Sequence, residues 1–136
     1  MTINIEVKGL AELKRKMTTL FTGNSRHIIS YLLLRVGRYA QGALQGRPYP
    51  SERPGQTYRR TGQLNRAWYA RITKNDTISI INPAKGKSGY YASYVVGDQQ
   101  AWMHAGRWWQ ARNVVEESLP QAIEETSEYT EAVWNG

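Results

Sequence analysis

Ile3, Ile5 and Val7 alternate with Asn4, Glu6 and Lys8, the period-two signature of a half-buried strand, and Gly9 ends it. Leu10, Leu13, Met17, Leu20 and Phe21 then recur at helical spacing until Gly23-Asn24-Ser25 breaks the pattern. In the helix that follows, Ile28, Ile29, Leu32, Leu33, Val36, Tyr39, Ala40, Ala43 and Leu44 share one arc at about 100° per residue, which marks the core side. Tyr31 and Leu34 fall on the opposite arc with His27, Arg38 and Gln41. Either they are ordinary exposed apolar residues, or this helix buries its back against a neighbouring subunit.

Residues 46–62 are rich in proline and glycine and lack apolar periodicity, so they form a loop longer than most connections in compact domains. Next, Trp68, Ala70 and Ile72 alternate with Tyr69, Arg71 and Thr73, and Ile78 and Ile80 alternate with Thr77 and Ser79 across Lys74-Asn75-Asp76. That predicts a β-hairpin. A flexible stretch at 83–89 leads into the aromatic segment Tyr90 to Val96, where a further strand is an option. From Arg107 to Trp134 the spacing is helical, with Ala111, Val115, Leu119, Ala122 or Ile123, Thr126, Tyr129 and Val133 on one side. Ser118-Leu119-Pro120-Gln121 has the form of a capping box with proline in the first turn, which predicts a kink or fresh start there. The expected fold is a single α+β domain over residues 1–136, a small antiparallel sheet packed against a long helix and a C-terminal helix.

A chain of 136 residues buries an adequate core without staples, and the absence of cysteine removes disulfide scaffolds, thiol nucleophiles and thiolate zinc sites. The longest apolar run, Ile28 to Leu34, falls far short of the roughly 20 residues that span a bilayer, so no membrane contact is expected. The amino terminus shows no signal-peptide pattern, so the chain is expected to stay in the cytoplasm where it is made. Charge is uneven: residues 1–75 carry 14 Lys/Arg and 3 Asp/Glu, whereas residues 76–136 carry 4 and 8. A basic front suits nucleic acid or other acidic partners, and an acidic rear in the same chain suits head-to-tail pairing of copies, through Glu124, Glu125 and Glu128 of the terminal helix.

Catalysis has little support. His27 and His104 have no partner signature, and there is no H-x-x-x-H pair or G-x-S-x-G elbow. Gly86-Lys87-Ser88 resembles the end of a phosphate loop, yet the required upstream glycine is Ile81. No enzyme activity, metal or cofactor is expected. Surface chemistry remains. Of fifteen aromatic residues only Phe21 lacks a polar handle, and such rings are enriched at interfaces. Trp102, Met103, Arg107, Trp108 and Trp109 cluster about Gly106 in a segment bracketed by Gly97 and Gly106, a candidate docking surface. Arg47, Arg53, Arg59 and Arg60 share the long loop with Tyr49 and Tyr58, a mixture that suits either phosphate contact with base stacking or salt bridges to an acidic protein.

Val7-Lys8-Gly9-Leu10-Ala11-Glu12-Leu13, then a long helix, then Arg60-Thr61-Gly62-Gln63-Leu64-Asn65-Arg66-Ala67-Trp68, together with Asn82 and Tyr91-Ala92-Ser93-Tyr94-Val95-Val96-Gly97, carry a family resemblance. The chain resembles the tail-completion or head-to-tail joining proteins of long-tailed phages, the gene-product-ten-like family of lambdoid phages. Val96 stands where that family has an acidic residue, and His104 to Trp109 replaces its proline-phenylalanine-arginine element. The resemblance implies a non-enzymatic virion component that assembles with itself as a ring, six- or twelve-fold, around the channel between head connector and tail tube. Its implied partners are head-connector and tail-tube proteins, with the arginine loop facing channel DNA or the neighbouring ring. The alternative is a cytoplasmic basic protein that binds nucleic acid nonspecifically.

Overall fold

The computed structural model describes residues 1–5, 10–20, 26–51, 62–73, 77–86 and 89–135. Strands β1 (Thr2–Ile5), β2 (Tyr69–Ile72) and β3 (Ile78–Ile81) form an antiparallel sheet in the order β1-β3-β2. The hairpin expected from the alternation is present as β2 and β3, and its turn at 74–76 lies outside the described residues. Met1 extends the outer ladder: its carbonyl accepts from the Asn82 N–H at 2.9 Å and its ammonium donates to the Asn82 carbonyl at 3.1 Å. Register places Ile3, Ile80 and Ala70 in one row and Ile5, Ile78 and Ile72 in the next, on a shared face.

Helix α1 (Leu10–Leu20) contributes Leu13 and Met17 to the core, and α2 (Arg26–Gln45) contributes Leu32, Leu33, Val36, Ala40 and Leu44. Helix α2 contacts β2 and β3 on one side and the long C-terminal helix α5 (Ala111–Asn135) on the other. Its approach to the sheet is close at Gly37, where a Cβ would stand 2.8 Å from Ile78 Cγ2 and 3.1 Å from Ala70 Cβ. Two short helices, α3 (Gln63–Arg66) and α4 (Ala92–Val95), flank the sheet in sequence. The architecture is α+β, with a three-stranded antiparallel sheet packed against long helices.

Several expectations need correction. The stretch 83–89 is not simply flexible: β4 (Lys85–Gly86) pairs antiparallel with β5 (Gly89–Tyr90) as a small ribbon. The segment from Tyr90 to Val96 is mostly a helical turn and adds no strand to the main sheet. Ile28 and Tyr39 are exposed because they lie at the border of the core arc of α2, and Val133 is exposed on the last turns of α5.

Helix α5 also runs through Pro120 without a fresh start. The Ser118 hydroxyl donates backwards to the Val115 carbonyl at 2.7 Å, so no capping box forms. Pro120 and Glu116 are both exposed, so the carbonyl that loses its donor lies on the solvent side of the helix, while buried Val115, Leu119 and Ala122 keep the helix seated.

Candidate docking surface

The tryptophan segment is split between inward and outward residues. Residues 101–108 coil into successive turns, with the His104 N–H donating to the Ala101 carbonyl at 2.8 Å and the Trp108 N–H to the His104 carbonyl at 2.8 Å. Gly106 sits at φ 76°, a left-handed conformation that suits glycine and reverses the chain toward the core. Gln100 braces the turn from below, its Nε2 donating to the carbonyls of Val95 at 2.8 Å and Trp108 at 3.1 Å.

On the inner side Trp108 is only 8% exposed, with its ring centroid 5.1 Å from that of Tyr49 and edge-on to His104. Trp109 Nε1 donates to the Pro48 carbonyl at 3.1 Å, and Arg107 Nη2 donates to the Ser51 carbonyl at 2.6 Å. From the opposite side Asn65 Nδ2 donates to the Arg47 carbonyl at 2.8 Å, and its backbone N–H donates to the Tyr49 hydroxyl at 3.1 Å. The root of the long loop, 47–51, is therefore held by the tryptophan segment and by α3. This corrects the grouping of Trp108 with the docking residues: it is core, because Tyr49 folds back onto it. Arg107 and Trp109 are half-buried and direct their polar groups to the loop backbone.

On the outer side Trp102 is 84% exposed and Met103 is 42% exposed. Among the other expected contact residues, Tyr31 is exposed, Leu34 is half-buried, and Glu124, Glu125 and Glu128 are all exposed. Arg47 is exposed at the loop root, whereas Arg53, Arg59 and Arg60 lie outside the described residues.

A groove about 290 Å³ in volume separates α2 from α5, lined by Tyr31, Arg35, Arg38 and Tyr39 facing Ala122, Glu125 and Thr126. The Arg35 guanidinium lies 3.7 Å above the Tyr129 ring centroid, a cation–π contact. Sequence periodicity missed Arg35, because an arginine at the edge of an apolar arc looks like solvated surface. Asn65 and Gln100 were missed too; isolated amides carry no periodic signal.

Among the described residues no group of three or more His, Cys, Asp or Glu side chains is arranged to hold a metal ion. Also among them, no helix is long and apolar enough to cross a membrane. Comparisons with protein-family models, with curated proteins and with solved structures found no match to this chain.

Proposed function

We propose that this chain is a structural subunit of the neck of a long-tailed phage, joining head to tail as part of a ring around the DNA channel. The observation that carries the reading is Trp102, 84% exposed on a turn whose neighbours Arg107, Trp108 and Trp109 are anchored inward. Tryptophan is the residue type most enriched among those that dominate protein interfaces, and Met103 beside it adds an adaptable apolar contact.

The family resemblance supplies the assignment to the neck. Its residues hold the fold together in this chain: the Leu64 carbonyl accepts from Asn82 Nδ2 at 2.7 Å, and Gly97 lies so close to Ser93 that a Cβ would meet its Cα at 2.6 Å. Exposed Glu124, Glu125 and Glu128 offer an acidic flank for a neighbouring copy, and Trp102 with Met103 offers an apolar one for a connector or tail-tube protein.

Purified virions contain the chain on this reading, and particles made without it accumulate as separate filled heads and tails. Adding the purified protein then joins them. Absence from virions, together with salt-dependent binding to DNA of any sequence, replaces the reading with that of a nonspecific nucleic-acid binder.

A further inference from the structure

The groove between α2 and α5 holds more positive charge than the described residues around it balance. Arg35 is half-buried there, and its Nε is buried without a hydrogen-bond partner among the described residues. Arg38 lines the same groove and is exposed. Among the described residues Glu125 is the one acidic residue in the lining, and its carboxylate accepts from Gln121 Nε2 at 3.2 Å. Among the described residues neither arginine has a carboxylate within ion-pair distance. A guanidinium taken partly out of water with only an aromatic face beside it is poorly compensated, and a carboxylate delivered from outside would complete it with charge-assisted hydrogen bonds.

The same chain carries matching acceptors. Glu117, Gln121, Glu124 and Glu128 recur at spacings of four, three and four along α5, so they share one helix face, and all four are exposed. None of these glutamates has an ion pair among the described residues, whereas Glu131, one step further, is already bonded to Lys16 of α1. Tyr31 and Tyr39, 48% and 36% exposed, flank the arginines and supply apolar area around the charges, as interface cores do.

We infer that the α2–α5 groove of one copy receives the Glu117–Glu124–Glu128 face of a second copy, with Arg35 and Arg38 as the receiving cations. The inference rests on the reading that copies of the chain associate, and it names the surfaces by which they do so. Charge complementarity selects a second copy as occupant: the acidic residues concentrate in the same C-terminal helix, opposite a strongly basic front half.

Sedimentation velocity of the purified full chain at low ionic strength tests this. The wild-type protein associates as concentration rises, and added salt reverses it. Arg38→Glu and the double variant Glu124→Lys/Glu128→Lys each weaken association at least about tenfold, since like charges then face each other. An equimolar mixture of the two variants associates again, because each then offers the charge that the other lacks. Arg38→Gln, which removes the charge without reversing it, gives an intermediate loss. All the altered side chains are exposed, and unchanged thermal unfolding of each variant shows that the monomer is intact.

Wild-type protein that stays monomeric at every concentration overturns the inference, as do variants that associate normally or a mixture that does not recover. The measurement uses purified protein alone, so it is independent of the virion test. Absence from virions would remove the head–tail assignment and leave the groove pairing standing, and a monomeric wild type would do the reverse.

Discussion

Asn82 donates from Nδ2 to the Leu64 carbonyl at 2.7 Å while its Oδ1 accepts from the Ala84 N–H at 3.0 Å, and the side chain is completely buried. One amide thereby ties the end of β3 to α3 and sets the path toward β4. No other uncharged side chain of similar size offers both a donor and an acceptor in that geometry. Asn82→Leu leaves a buried carbonyl and a buried N–H unpaired and is expected to cost about 2–6 kcal/mol, at roughly 1–3 kcal/mol for each orphaned group. Asn82→Asp replaces the donor with a charge and is expected to cost at least as much at neutral pH. Urea unfolding followed by circular dichroism measures both.

Trp102 and Trp108 are six residues apart and differ in kind. Trp108→Ala removes a core ring and is expected to destabilise the monomer by about 3–5 kcal/mol. Trp102→Ala alters an exposed side chain and is expected to stay within about 0.5 kcal/mol of wild type while, on the proposed function, weakening docking to a partner. Melting temperatures of the two single variants, alongside a head–tail joining assay, separate these effects. A strongly lowered melting temperature for Trp102→Ala would place that ring in the core.

Gly37 and Gly42 lie on the same helix and should respond oppositely to alanine. At Gly37 the new methyl meets Ile78 and Ala70 of the sheet, and overpacking of this kind costs about 1–3 kcal/mol. At Gly42 none of the described residues lies within 4 Å of the added Cβ, so Gly42→Ala is expected to gain about 0.5–1 kcal/mol of helix stability. Chemical denaturation midpoints of the two variants report the difference.

Tyr91 gives the fold an alkaline limit. Burial, and then the neighbouring Tyr49 charge, raise its phenol above the ordinary value of 10.0. A folded-state value above the unfolded one means that the contribution is fully present below pH 10 and is lost as pH rises through the folded value. Stability is therefore expected to fall above about pH 10, and Tyr91→Phe should make that decline shallower. Urea midpoints from pH 8 to 11.5 for wild type and variant measure it; equal slopes would remove Tyr91 from the effect.

The apolar pattern alone specified the two-strand hairpin, the first strand, the buried side of α2 and the long terminal helix. Ile3 and Ile5, Leu32, Leu33, Val36, Ala40 and Leu44, and Ile78 with Ile80 are buried as the periods require, whereas Ser79, placed outward by the same alternation, is buried too and donates to Asn4 Oδ1 at 2.8 Å. The acidic face of α5 and the exposed Tyr31 were equally legible, since charge and helical phase are local properties.

Tertiary structure decided the rest. Trp102 and Trp108 have the same chemistry and nearly the same neighbours in sequence, and only the return of Tyr49 and Pro48 against the segment makes one core and leaves the other in solvent. The continuity of α5 through Pro120 depended on the buried row beneath it, which outweighs one missing hydrogen bond. Arg35 became a candidate receiver only when α5 laid Tyr129 under its guanidinium and left a groove alongside. Periodicity reports which face of an element is hidden, whereas the identity of what covers that face depends on contacts between residues far apart in the chain.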